Sequence, residues 1–200
     1  MASRLGHPKG DKRARTRATL VQAAAEAVGD KGFERTTLED VARRAGMTRG
    51  AIYGNFASRD ELYIAVLEAR WAPIVPAFRP GASFAEQMAI LAEAVIAALP
   101  ARRAAAVGAA SFQLYALTHE PMRRRIVELN AEAYRRAAEA LLAVVPEADL
   151  PAPAEALVKA MHGLIDGLVL LASLTPELVG DEVIRAAFKA LAPEAGDGLS

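Results

Sequence analysis

Residues 37–53, TLEDVARRAGMTRGAIY, read as two short helices hinged at a glycine. Thr37 and Asp40 stand three apart, the spacing of a capping box, so a helix starts at Leu38 and runs to Ala45. Gly46 can take the left-handed conformation that a sharp turn needs. Thr48 then caps a second helix from Arg49 to Asn55 or Phe56. Ala42 is small where the two helices cross, and Leu38, Val41, Met47 and Ile52 fill the space between them. Spacing alone leaves two readings open: a helix-turn-helix, or an ordinary helical hairpin.

Charge favours the first. Residues 1–60 carry twelve Lys and Arg against seven Asp and Glu, a net of +5, while residues 61–200 carry a net of −5. A neutral chain with a basic first third suggests a head that binds a polyanion. The side chains left over on the second short helix suit a duplex. Thr48 and Arg49 sit at its N-terminus, where free N–H groups and the helix dipole favour phosphate. Gly50 and Ala51 are small enough for close approach to a groove. Arg17, Thr37, Arg49, Tyr53 and Arg59 are expected to meet phosphates, and Thr48, Gly50 and Asn55 base edges. Phe56 is expected in the core.

Outward from this motif the chain reads as helices throughout. Lys12–Lys31 precedes it, with Leu20, Ala24, Ala27 and Val28 on one face, Gly32 as the stop and Phe33 as a core plug. Ser58 and Glu61 open a helix to about Ala72, ended by Pro73 and Pro76. Helices over 84–99, 102–117, 121–145, 154–174 and 181–191 follow, separated chiefly by prolines. Alanine supplies 46 of the 200 residues, which agrees with an all-helical chain because no residue favours the helix more. No alternation persists long enough for a strand. Residues 1–11 read as a flexible arm, 12–57 as the basic helix-turn-helix head that would bind DNA, 58–193 as a helical body, and 194–200 as a flexible tail.

The stretch Thr36–Leu62, TTLEDVARRAGMTRGAIYGNFASRDEL, resembles the TetR family of bacterial transcriptional regulators. It keeps the family's order of small residue, turn glycine, aromatic pair and charged start of the fourth helix. Gly54-Asn55 replaces the family's usual aromatic or histidine, and Arg59 stands where lysine is commoner. The resemblance covers roughly the first third. It implies an all-α protein whose helical C-terminal domain binds a small ligand and dimerises through its last helices. Its expected partners are double-stranded operator DNA, a small and largely apolar effector, and a second copy of itself.

Effector walls are sought among the scarce aromatics after residue 61. Trp71, Phe78, Met88, Phe112, Tyr115 and Tyr134 are the candidates, with His162 and Asp166 as polar anchors. These last two stand four apart on one helical face, which equally suits a pair that only satisfies itself at a helix contact. Leu157, Met161, Leu164 and Leu168 on one helix, with Val183, Ile184, Ala187, Phe188 and Leu191 on the last, are expected at the dimer seam. The competing reading is that both stripes are core. Gly163 and Gly167 would permit close helix approach.

A different class of function, a helical enzyme or ligand carrier with an incidental basic head, finds little support. There is no cysteine, and the three histidines show no metal-ligand spacing. Neither a glycine-rich phosphate loop nor a nucleophile elbow occurs. No cofactor is expected. Unbroken apolar runs are short and no apolar stretch follows the basic N-terminal residues, so neither a membrane span nor a secretory signal is expected, and the compartment is read as cytoplasmic.

Overall fold

A computed structural model describes residues 9–70 and 73–192. Among these residues there is no strand, and the chain is all-α as the composition implies. The helices are α1 (Lys9–Arg35), α2 (Leu38–Arg44), α3 (Arg49–Tyr53), α4 (Arg59–Arg70), α5 (Phe84–Thr118), α6 (Glu120–Leu142), α7 (Ala154–Leu174) and α8 (Asp181–Ala190), with a 3₁₀ turn at Glu147–Asp149. The expected arm falls mostly on residues 1–8, and the tail and Trp71 wholly on residues outside those described.

Two compact units divide the chain. The first takes the described residues up to 70 together with Val107–Arg125, and the second takes Pro73–Ala106 with 126–192. The first unit therefore extends beyond residue 57 to include α4 and the second part of α5. Its core follows from the spacing of α1. Leu20, Ala24, Ala27 and Val28 are buried, as are Val41 and Ala42 of α2, Ile52 of α3, and Leu62, Tyr63 and Val66 of α4. Helix α1 packs on both α2 and α4, and α2 packs on α3.

Of two breaks expected from sequence, one holds and one is overruled. Gly32, non-helical at φ 79° and ψ 168°, interrupts α1 where the stop was expected, and only a short turn to Arg35 follows the kink. Pro100 does not separate two helices, since α5 runs through it unbroken to Thr118. An interior proline costs a helix roughly 3 kcal/mol. Val95 and Leu99 just before it are anchored in the core, and the alanine-rich stretch after it favours helix.

The second unit closes around Met88, Leu91, Val95 and Leu99 of α5, Leu141 and Val145, then Leu157, Met161 and Leu168 of α7, and Ile184 and Phe188 of α8. Ahead of α5, the fully buried Gln87 staples the preceding turn: its side chain accepts from Arg79 N at 3.1 Å and donates to Arg79 O at 2.5 Å. Arg185 of α8 ties back to Glu93 of α5 at 2.7 Å. Helices α5 and α7 are, by length and composition, apolar enough to cross a membrane, although no single apolar run in either is long. Each nevertheless supplies buried core residues to its own unit, the usual origin of such apolarity.

Candidate nucleic-acid interface

The capping box at the start of α2 is formed in full. Asp40 N–H donates to Thr37 Oγ1 at 3.1 Å, and Thr37 N–H donates to Asp40 Oδ2 at 3.0 Å. Asp40 also receives Lys31 from α1 and Arg43 from the next turn of its own helix. Lys31 first, then the Thr37 hydrogen bonds, hold the Asp40 carboxyl well below the usual carboxylate range. A carboxylate depressed in the folded state contributes stability that is fully present above its unfolded pKa, near 4, and is lost as pH falls below that value. Asp40→Asn is therefore expected to remove part of the acid lability of the first unit. The check is the pH dependence of its thermal melting between about pH 5 and pH 2, which should be flatter in the variant.

Gly46 makes the turn with φ at 63°, and Met47 N–H closes it onto Ala42 O at 2.9 Å. Helix α3 follows, shorter than its expected end at Asn55 or Phe56. Thr48 stands at its N-cap but its hydroxyl makes no capping hydrogen bond, leaving that oxygen and the adjacent N–H groups open to a partner. Gly50 is exposed, and Tyr53 keeps 51% of its surface accessible while Phe56 is buried. Arg49 donates to Tyr53 Oη at 3.0 Å and pairs with Glu39 of α2 at 2.5 Å. The Tyr53 hydrogen bond and then the Glu39 charge raise the Arg49 pKa further.

Three of the residues expected on DNA are engaged within the fold. Asn55 turns its amide back onto Ala51 O at 2.8 Å, and its Oδ1 is buried, so this side chain closes α3 rather than presenting a free base-reading amide. Arg17 donates to Asn55 O at 2.7 Å, pairs with Glu61 at 3.2 Å, and lies 4.1 Å over the Phe56 ring. Arg59 donates to Phe33 O at the kink of α1 and to Tyr63 Oη at 3.1 Å. Both arginines hold α1, α3 and α4 in register. The Ser58 and Glu61 pairing is half of the expected box: Glu61 N–H donates to Ser58 Oγ, but the carboxylate accepts from Ala57 N–H instead.

Sequence reading misses the joint behind this motif. Gly32 adopts φ 79° and ψ 168°, and Phe33 N–H, freed from the helix ladder, donates to Ser111 Oγ of α5 at 2.6 Å. Tyr63, fully buried, donates to Thr36 O at 2.9 Å. Phe33, Tyr63, Phe112 and Tyr115 form one aromatic cluster with ring centroids 4.7 to 5.8 Å apart. Tyr115 Oη donates to Asp60 at 2.6 Å, and burial, then that hydrogen bond, pushes its pKa upward. The only local signal is Gly32-Phe33. Ser111, Phe112 and Tyr115 are remote in sequence.

The expected effector residues divide between the two units. Phe112 and Tyr115 belong to the first unit and are committed to the aromatic cluster. Phe78, Met88, Tyr134, His162 and Asp166 belong to the second. Met88 is fully buried in its packed core. Tyr134 Oη meets His162 Nδ1 at 2.7 Å, and His162 Nε2 lies 3.5 Å from Asp166, giving a three-residue polar chain. An open groove of about 660 Å³ on α5 and α8 is lined by Arg79, Glu86, Ile90, Glu93, Arg185 and Lys189, and by none of the expected residues.

The stripe expected at a dimer seam is largely core. Leu157, Met161, Leu168, Ile184 and Phe188 are buried in the core of the second unit, with Leu164, Val183, Ala187 and Leu191 packed against it. The uncharged positions that α7 leaves exposed are Ala156, Ala160, Gly163, Gly167, Leu170, Leu171 and Leu174. At about 100° per residue these fall on one side of the helix, and the exposed Glu155, Lys159 and Asp166 run along one border of it.

Residues 20–66 match the family model described as bacterial regulatory proteins, tetR family. The chain is 49% identical over 53 residues to the HTH-type transcriptional regulator TtgR of Pseudomonas putida. That match covers 26% of this chain and spans about a quarter of the relative's length, 25%. Whole-chain likeness comes from structure. The multidrug binding protein EbrR, solved with imidazole, is 26% identical with a TM-score of 0.69, over 96% of this chain and 98% of that one. A regulator from Pseudomonas aeruginosa PAO1 shares the fold at 17% identity, with a TM-score of 0.69, over 94% of this chain and 92% of its own.

Proposed function

We propose that this chain, a member of the TetR family by its helix-turn-helix head and its fold, is a dimeric repressor that releases its operator on binding a small effector. The reading is carried by α3. Its N-terminus presents Thr48, Arg49 and Gly50 beside an exposed Tyr53, and Arg17 of α1 ties down the backbone just past its end at Asn55 O. Thr37, Arg49 and Tyr53 contact phosphates, and Thr48 and Gly50 approach base edges. Arg17, Asn55 and Arg59 act by positioning. The protein works in the cytoplasm, and no catalysis is assigned to it.

A second copy docks on the exposed α7 face, where Gly163 and Gly167 let two helices approach closely, with α8 alongside in a four-helix seam. Two heads then meet a pseudopalindrome whose half-site centres lie about 34–36 Å apart, or a multiple of that. The second unit holds the effector against apolar walls, with Tyr134, His162 and Asp166 as its polar anchor. The likeness to a multidrug binding protein solved with imidazole supports a small-molecule ligand. The test is selection of bound genomic fragments, followed by titration of the recovered operator across salt concentrations. Arg49→Ala should weaken every duplex similarly and reduce the salt slope by roughly one unit. An unchanged slope removes Arg49 from the phosphate contacts. Tight-binding apolar compounds that never release the operator would end the effector reading.

A further inference from the structure

We propose that Glu39 competes with DNA phosphate for Arg49 and thereby keeps the protein's affinity for arbitrary duplex low. This rests on the DNA-binding reading above. The Glu39 carboxylate lies 2.5 Å from the Arg49 guanidinium, and both side chains are about half exposed, at 52% and 59%. The fold does not need Glu39 there. Asp40, its neighbour, carries the capping box and the ties to Lys31 and Arg43. Among the described residues, the Glu39 carboxylate has Arg49 as its ion-pair partner.

A phosphate arriving at Arg49 meets a guanidinium already held by a carboxylate and by Tyr53 Oη. Binding exchanges one anion for another. The gain from that phosphate contact is reduced on every sequence by the pair that must open. Non-specific binding rests on phosphate contacts alone, so its absolute strength falls most visibly, while base contacts still hold the operator. An exposed pair of this kind is weak, which makes it easy to exchange and suits it to tuning rather than blocking.

Glu39→Gln keeps the shape and leaves the capping box intact, so its melting temperature serves as the folding control. The variant should bind both the operator and a scrambled duplex about fivefold more tightly at low salt, with a steeper salt slope. In an Arg49→Ala background the same substitution should change nothing. A gain that survives in that background means general charge repulsion and overturns the pairing role. No gain, or altered preference at a single base pair without a general gain, overturns it too. If the unaltered chain binds no duplex at all, the DNA-binding reading falls and this inference with it. Binding by the unaltered chain with an unchanged variant overturns this inference alone.

Discussion

Gly167→Arg is expected to turn the protein into a monomer and to cost about a hundredfold or more in operator affinity. A side chain built at Gly167 meets nothing of its own chain within 4 Å, and the same holds at Gly163. Both residues stand inside α7, where glycine is less favourable than alanine by about 1 kcal/mol each. Nothing within the protomer accounts for that cost. A second α7 lying against the apolar face, as proposed above, would, because backbones cross closely only where side chains are absent. Arginine there would place a charge in the proposed contact of the exposed Ala156, Ala160, Leu171 and Leu174. The loss of affinity follows from the operator's two halves: one head without its partner forfeits the intramolecular second contact, an effect on the order of 10² or more. Sedimentation at micromolar concentration reads the first effect and a mobility shift the second. Gly167→Ala separates the causes, since it should raise the protomer's melting temperature while weakening association. A Gly167→Arg variant that remains dimeric would place the contact elsewhere.

Gly32→Ala should destabilise the head by about 3 kcal/mol. Its backbone, at φ 79° and ψ 168°, lies in a region open essentially to glycine alone, and strain there costs roughly 1–3 kcal/mol. A Cβ would also stand 2.6 Å from Ser111 Oγ, the atom that accepts Phe33 N–H. Displacing that hydroxyl leaves a buried donor without its partner, worth on the order of 1 kcal/mol more. Chemical denaturation followed by tryptophan fluorescence or by helical circular dichroism measures the loss. Ser111→Ala alone removes the same acceptor but leaves the backbone unstrained, so it should cost only about 1 kcal/mol, the remaining ~2 kcal/mol of the Gly32→Ala loss being strain. Equal stability of Gly32→Ala and the unaltered chain would mean that the kink is not required.

Two glycines of the head show where sequence reading stops. Gly46 is legible because a turn between two amphipathic stretches demands a left-handed residue, and both stretches stand beside it in the chain. Gly32 carries the same local signal, which predicts a stop. The helix is interrupted there, but what receives the freed Phe33 N–H is not legible, because Ser111 lies 78 residues beyond it. The stripe expected at a dimer seam proves largely core for a related reason. Periodicity identifies α7 and α8 as apolar on one side or more, but an apolar helix has no sequence mark for which side meets its own core.

The chain by itself therefore determined the local quantities: helices from spacing and propensity, the motif from capping residues and a turn glycine, a basic head from charge. Each depends on residues within a few turns of one another. Tertiary structure decided which cations are engaged within the fold and which are offered outward. Arg17, Arg49 and Arg59 are alike in sequence, yet Arg17 and Arg59 hold backbone carbonyls inside the head, while Arg49 remains at the surface in an exchangeable pair. Long side chains reach partners tens of residues distant, and a guanidinium goes wherever packing leaves an acceptor without a donor.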